Sequence, residues 1–142
     1  MALGKLFGKN NSKNDEDVAP ASPGEGLLDS VHASVEGFDA YALATVKCER
    51  IAEREGPILL AELGEAAKAR ACKLAIDLTE VMMISSAGIG SLVQLHRACA
   101  EHKGKMILFG ISDEMLDMLK IARLDRLFTI VGSRSDAVGA LG

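Results

Sequence analysis

The stretch from Lys73 to Ile111 constrains the fold most. It opens with an apolar run, Lys73-Leu74-Ala75-Ile76-Asp77-Leu78, and closes with another, Lys105 to Ile111. Between them lies Ile84-Ser85-Ser86-Ala87-Gly88-Ile89-Gly90, followed by Leu92, Val93, His96 and Cys99 at helical spacing. An apolar run of this length, bounded by turn residues, suits a strand buried on both faces. Two such runs joined by an amphipathic helix form a βαβ crossover, which requires parallel neighbours in one sheet. The serines then fall at a helix N-terminus, where backbone N–H groups lack partners and the dipole is positive. A serine at that point is either a plain cap or a place for a phosphate.

The flanking segments extend the pattern. Ser30–Glu36 alternates Val31, Ala33 and Val35 against polar neighbours, and Tyr41–Lys47 alternates Leu43 and Thr45 against Ala42, Ala44 and Val46. With Gly37-Phe38-Asp39 as the turn, they predict an N-terminal hairpin. Gly56-Pro57 opens a helix with Leu60, Leu63 and Ala67 on its apolar face and Gly64 at a point of close approach to the sheet. The main helix, about Ser86 to His102, shows an apolar stripe of Ile89, Leu92, Val93, His96, Cys99 and Ala100, and Gly104 ends it. Ser112 caps a further helix bearing Met115, Leu116, Leu119 and Ala122. A short strand, Phe128–Val131, and a helical turn from Ser133 close the chain. The expected architecture is α/β: a mixed, mainly parallel sheet of four to five strands with an N-terminal hairpin and flanking helices.

Residues 8–26 are small and polar and cannot bury enough apolar surface to offset their ordering entropy. Residues 1–26 are therefore expected to be a disordered leader and 27–142 the folded domain. Met1 to Phe7 has too short an apolar core for a signal peptide and is expected to be a frayed tail.

Composition removes several function classes. A net charge of -4 gives no electrostatic footprint for nucleic acid or an anionic membrane. Aromatic residues are 4% of the chain, too few to stack single-stranded bases. No apolar run reaches the roughly 20 residues of a membrane span. Cys48, Cys72 and Cys99 are odd in number and widely spaced, which suggests neither a disulfide framework nor a metal site and suits a reducing cytoplasm. Gly88 and Gly90 lack the spacing of a dinucleotide or P-loop motif. Ser86 and Asp77 could be grouped with His96 or His102 as a triad, but His96 lies about three turns along the same helix, ~15 Å away, and the nucleophile elbow is absent. No catalytic residue, cofactor or metal is expected.

Three segments in order resemble the STAS domain family of anti-sigma factor antagonists. Leu74-Ala75-Ile76-Asp77-Leu78-Thr79-Glu80-Val81 is similar to the family's apolar strand and its Asp-Leu-Ser/Thr ending. Ile84-Ser85-Ser86-Ala87-Gly88-Ile89-Gly90 resembles its serine-glycine loop. Lys105 to Ser112, with Met118-Leu119 and Leu124-Asp125-Arg126-Leu127-Phe128, is similar to its fourth strand, third helix and last strand. The resemblance implies phosphorylation at Ser86, a partner-binding loop of Ser85, Ser86, Ala87, Gly88, Ile89 and Gly90, and an anti-sigma factor with serine kinase activity as partner. It also implies a cytoplasmic regulator that binds protein without catalysis. Two departures stand out. Ser85 occupies a position the family often gives to aspartate, and Arg50–Gly56 lacks the usual Gly-x-Leu/Ile-Asp turn. The competing reading is a STAS subunit of a transporter or stress-signalling complex without a phosphoswitch.

Overall fold

The computed structural model describes residues 24–141. The elements run β1 (Glu25–Asp29), β2 (Ala33–Gly37), β3 (Ala42–Val46), β4 (Arg50–Ile51), α1 (Glu55–Ala67), β5 (Lys73–Asp77), β6 (Met83–Ile84), α2 (Ser86–Glu101), β7 (Lys105–Phe109), α3 (Asp113–Ile121), β8 (Thr129–Ile130) and α4 (Arg134–Leu141). Six strands form one sheet in the order β1-β2-β3-β5-β7-β8. The first two pairings are antiparallel and the other three parallel. The short strands β4 and β6 pair separately and in parallel.

The period of two decides which helices cover which face. Ala42, Ala44, Leu74, Ile76, Met106 and Leu108 point to the side covered by α1, α2 and α3. Leu43, Ala75, Ile107 and Phe109 point to the other side and meet Ala137 and Leu141 of α4. The central strands are thus apolar on both faces, as parallel strands covered by helices must be. Among the described residues no polar or charged residue is buried.

The expected mixed sheet is present, with one strand more than expected. The added strand is β1. Its first residues, Glu25 and Gly26, lie inside the stretch read as leader. Glu25 and Gly26 carry no apolar signal, so only Leu27 and Leu28 mark the strand. The strand holds through its neighbours: Arg70 meets Glu25 at 2.5 Å, Lys47 meets Asp29 at 2.8 Å, and the Ser30 hydroxyl donates to Glu62 at 2.8 Å. The β1–β2 register slips between Gly26 and Leu28. The remainder of the expected leader lies outside the described residues.

Other differences are local. Val31 is not in a strand: the Ser30 hydroxyl accepts from the N–H groups of His32 and Ala33, which turns the chain and leaves Val31 86% exposed. In α1 the buried residues are Gly56, Leu59, Leu63, Ala66 and Ala67, and Leu60 is half-buried. Gly64 faces α2 rather than the sheet, since a methyl there would meet only Leu95. Along α2, Leu95 is buried and Ala100 exposed, a rotation of the expected stripe by about one position. His96 packs edge-on against Phe128 with ring centroids 5.9 Å apart.

Candidate functional site

The candidate loop enters α2 from β6. Ser85 is the N-cap: its backbone is extended and its hydroxyl accepts from the Gly88 N–H at 3.1 Å. Its carbonyl accepts from Ile89 and its own N–H donates to the Ile51 carbonyl. Ser85 is therefore a structural residue tied at three points. Ser86 is the first residue of the helix and is exposed, as is Ala87. Among the described residues the Ser86 hydroxyl has no protein partner. Two adjacent serines thus divide the roles of cap and open hydroxyl.

Gly88 is buried, and a Cβ there would stand 2.2 Å from the Ile51 carbonyl oxygen. It is a packing glycine that lets α2 sit against β4. Gly90 has nothing within 4 Å of its missing Cβ, so a side chain there would meet open space. Ile89 is half-buried and packs against the main core. Of the six expected loop residues, Ser86 and Ala87 are exposed, Ser85, Ile89 and Gly90 are half-buried, and Gly88 is buried.

The small β4–β6 pair is the platform under this loop. Arg50 and Ile51 run alongside Met83 and Ile84, and both Met82 and Met83 donate backbone N–H bonds to the Glu49 carbonyl. This leaves Met82 74% and Met83 45% exposed just before the serines, with exposed Arg50 opposite Met83. Sequence reasoning missed both methionines. The available signal was the apolar run Val81-Met82-Met83-Ile84, which is too short to register as a strand by periodicity.

No acidic residue occupies the first turn of α2. With the Gly88 and Ile89 N–H groups already bonded to Ser85, the N–H groups of Ser86 and Ala87 remain to face an anion. The imagined triad is not assembled. Asp77 accepts from the Thr79 N–H and hydroxyl at the end of β5, and His102 Nδ1 lies 2.9 Å from the Ala98 carbonyl at the far end of α2. Among the described residues there is no cluster of three His, Cys, Asp or Glu side chains fit to hold a metal, and no helix long and apolar enough to cross a membrane.

The STAS domain family profile matches residues 29–137, from the end of β1 into α4. The chain belongs to the STAS domain family. An anti-sigma-B factor antagonist of Listeria monocytogenes is 33% identical over 57 residues, which is 40% of this chain and 50% of that protein. The chain thus spans about half the length of the curated relatives it matches. The structure of an anti-sigma-factor antagonist (STAS) domain protein from Planctomyces limnophilus superposes with a TM-score of 0.66 at 21% identity, covering 78% of this chain and 97% of that one. The Bacillus cell fate determinant SpoIIAA in its phosphorylated form superposes with a TM-score of 0.58 at 12% identity, covering 78% and 99%. At these identities the solved structures establish a shared fold.

Proposed function

We propose that this chain is a non-catalytic, cytoplasmic anti-sigma factor antagonist. It docks an anti-sigma factor with serine kinase activity through the loop Ser85–Gly90 and is released when Ser86 is phosphorylated. The observation that carries this reading is the division of labour between Ser85 and Ser86. The cap that holds the helix is Ser85, so Ser86 is free to change its chemistry without unfolding α2. The Listeria relative, named an anti-sigma-B factor antagonist, supports the same reading.

A phosphate on Ser86 adds about 1.5 to 2 negative charges at neutral pH. At the helix N-terminus these are tolerated, because the dipole and the remaining N–H groups favour an anion. The effect therefore falls on the interface. Met82 and Met83, exposed in the segment that leads into the serines, offer a partner an apolar contact, and Arg50 opposite Met83 offers a cation. A hydrated phosphate next to the methionines must be desolvated for docking, and it repels any partner carboxylate drawn to Arg50. A coupling of about 3 kcal/mol weakens affinity roughly a hundredfold.

The test is binding of the co-purifying partner by three forms of the full chain. Ser86→Ala should bind as tightly as the unmodified protein, and Ser86→Asp more weakly. Incubation with that partner and ATP should place phosphate on Ser86, read by peptide mass spectrometry. Equal affinity of the two variants, or a phosphate on a different residue, overturns the switch. Recovery of a transporter ATPase in place of a serine kinase overturns the partner.

A further inference from the structure

Two adjacent strands of the parallel half send the chain to opposite sides of the sheet. β7 is followed by α3, which packs on the side of α1 and α2, whereas its neighbour β8 is followed by α4 on the other side. Where successive crossovers part in this way, a crevice opens beyond the carboxyl ends of the strands, and open α/β sheets bind small molecules there. A cleft of about 210 Å³ lies at that point. Phe109 and Gly110 at the end of β7 lie between its two walls. One wall is Asp77 and Thr79, after β5, and the other is Gly132, Ser133 and Arg134, where α4 begins. By strand alternation Asp77 shares the α4 side with Ala75. Ser86 opens α2 on the opposite side of the sheet, so the cleft is independent of the proposed docking loop.

The fold uses only part of the hydrogen-bonding capacity that lines this cleft. Gly110 has a φ of +74°, and a Cβ there would run into the Thr79 hydroxyl and the Asp77 carboxylate. The glycine thus lets the Asp77–Thr79 turn sit against the end of β7. Within that turn the Thr79 N–H and hydroxyl both donate to Asp77 Oδ1. Asp77 Oδ2 has no protein partner among the described residues. In the facing wall the Ser133 hydroxyl accepts from the Asp136 N–H at 3.1 Å and keeps its own proton to donate. The Arg134 guanidinium makes no ion pair among the described residues. Asp136, in the same turn, is exposed and outside the lining. A carboxylate and a guanidinium, both half-buried, therefore line one cleft without reaching each other. Capping the turn accounts for Oδ1 of Asp77, but not for a free Oδ2 and an unpaired cation in the same cleft.

Charge and size together define what fits. A bare anion drawn to Arg134 meets the charge of Asp77, and a bare cation drawn to Asp77 meets that of Arg134. A molecule carrying both signs satisfies both groups through charge-assisted hydrogen bonds, which are the stronger kind. At ~30 Å³ per water the cleft holds about seven waters. It is smaller than the ~300 Å³ at which pockets for drug-sized ligands begin, which leaves out nucleotides.

We propose that this cleft binds a free amino acid, with its carboxylate on Arg134 and the Ser133 hydroxyl and its ammonium on Asp77 Oδ2.

Amide NMR of the full chain tests this. The standard L-amino acids are titrated singly to ~10 mM, with acetate and methylammonium as single-charge probes. At least one amino acid should give saturable shifts at Thr79, Gly110, Gly132 and Ser133, with a Kd of ~1 mM or below. Acetate and methylammonium should each bind roughly tenfold more weakly, or worse. Asp77→Asn keeps an oxygen for the Thr79 turn and removes the negative charge, and Arg134→Gln removes the positive one. Each should weaken binding roughly tenfold or more. Amide shifts away from the cleft should stay in place in both variants, which separates a lost charge from a lost fold. The proposal is overturned by an absence of saturable shifts with every amino acid, or by shifts centred elsewhere. A single-charge probe binding as tightly as the amino acid, or full affinity in either variant, overturns it as well.

Discussion

At the residue scale, neighbouring positions of the same chemical type do different work, and substitutions separate them. Ser85→Ala removes the side chain that satisfies the Gly88 N–H and should cost about 1 kcal/mol of unfolding free energy. Ser86→Ala touches no such bond and should change stability by less than ~0.5 kcal/mol. The glycines divide similarly. Gly88→Ala places a methyl 2.2 Å from the Ile51 carbonyl oxygen, an overlap that backbone must yield to, and should cost about 1 to 3 kcal/mol. Gly90→Ala meets open space inside a helix and should gain up to about 1 kcal/mol. Urea denaturation of the four variants measures all of these. The serine pair and the glycine pair were visible in the sequence, but the partition within each was not. It depends on how closely Ile51 approaches α2, and Ile51 is thirty-seven positions from Gly88.

At the scale of elements, strand β1 is held by its ladder with β2, by Leu27 and Leu28 against the core, and at its ends by polar ties. The Lys47 ammonium beside Asp29 holds that carboxyl below its ordinary value of 3.8. A lowered carboxyl contributes stability above its unfolded value and loses it as pH falls through the folded one. The Asp29–Lys47 tie should therefore be intact from neutral pH down to about pH 4 and release only below that. Lys47→Met should return the Asp29 titration, followed by carboxyl carbon NMR, to about 3.8. Local contacts also explain which elements could be read beforehand. The long helices and central strands, α2, β5 and β7, carry their periodicity in ten or more residues or in a continuous apolar run, and they fall where expected. The β4–β6 pair has two residues per strand, and its existence rests on bonds from Glu49 and Ile51 to a distant segment. Val31 shows the opposite failure: its alternation with Ala33 and Val35 reads as strand, yet the Ser30 hydroxyl makes a turn of it.

For the whole molecule, the sheet divides into an antiparallel half built from adjacent segments and a parallel half built from crossovers. A chain beginning at Ser30 loses β1, with the cover that Leu27 and Leu28 give the core. It should be less stable by about 2 to 4 kcal/mol, measured by thermal or urea unfolding. The fold class was legible because the order of strands and helices admits few arrangements once crossovers are required. The first residues of β1 were not, because Glu25 and Gly26 carry no apolar pattern of their own and are placed by pairing with β2.

The two borders of the six-stranded sheet have a shared consequence. On one border the β1 register slips by a residue; on the other, β8 is only two residues long. Neither offers the long flat row of free amides and carbonyls on which foreign strands nucleate. Association through either described edge should therefore be disfavoured.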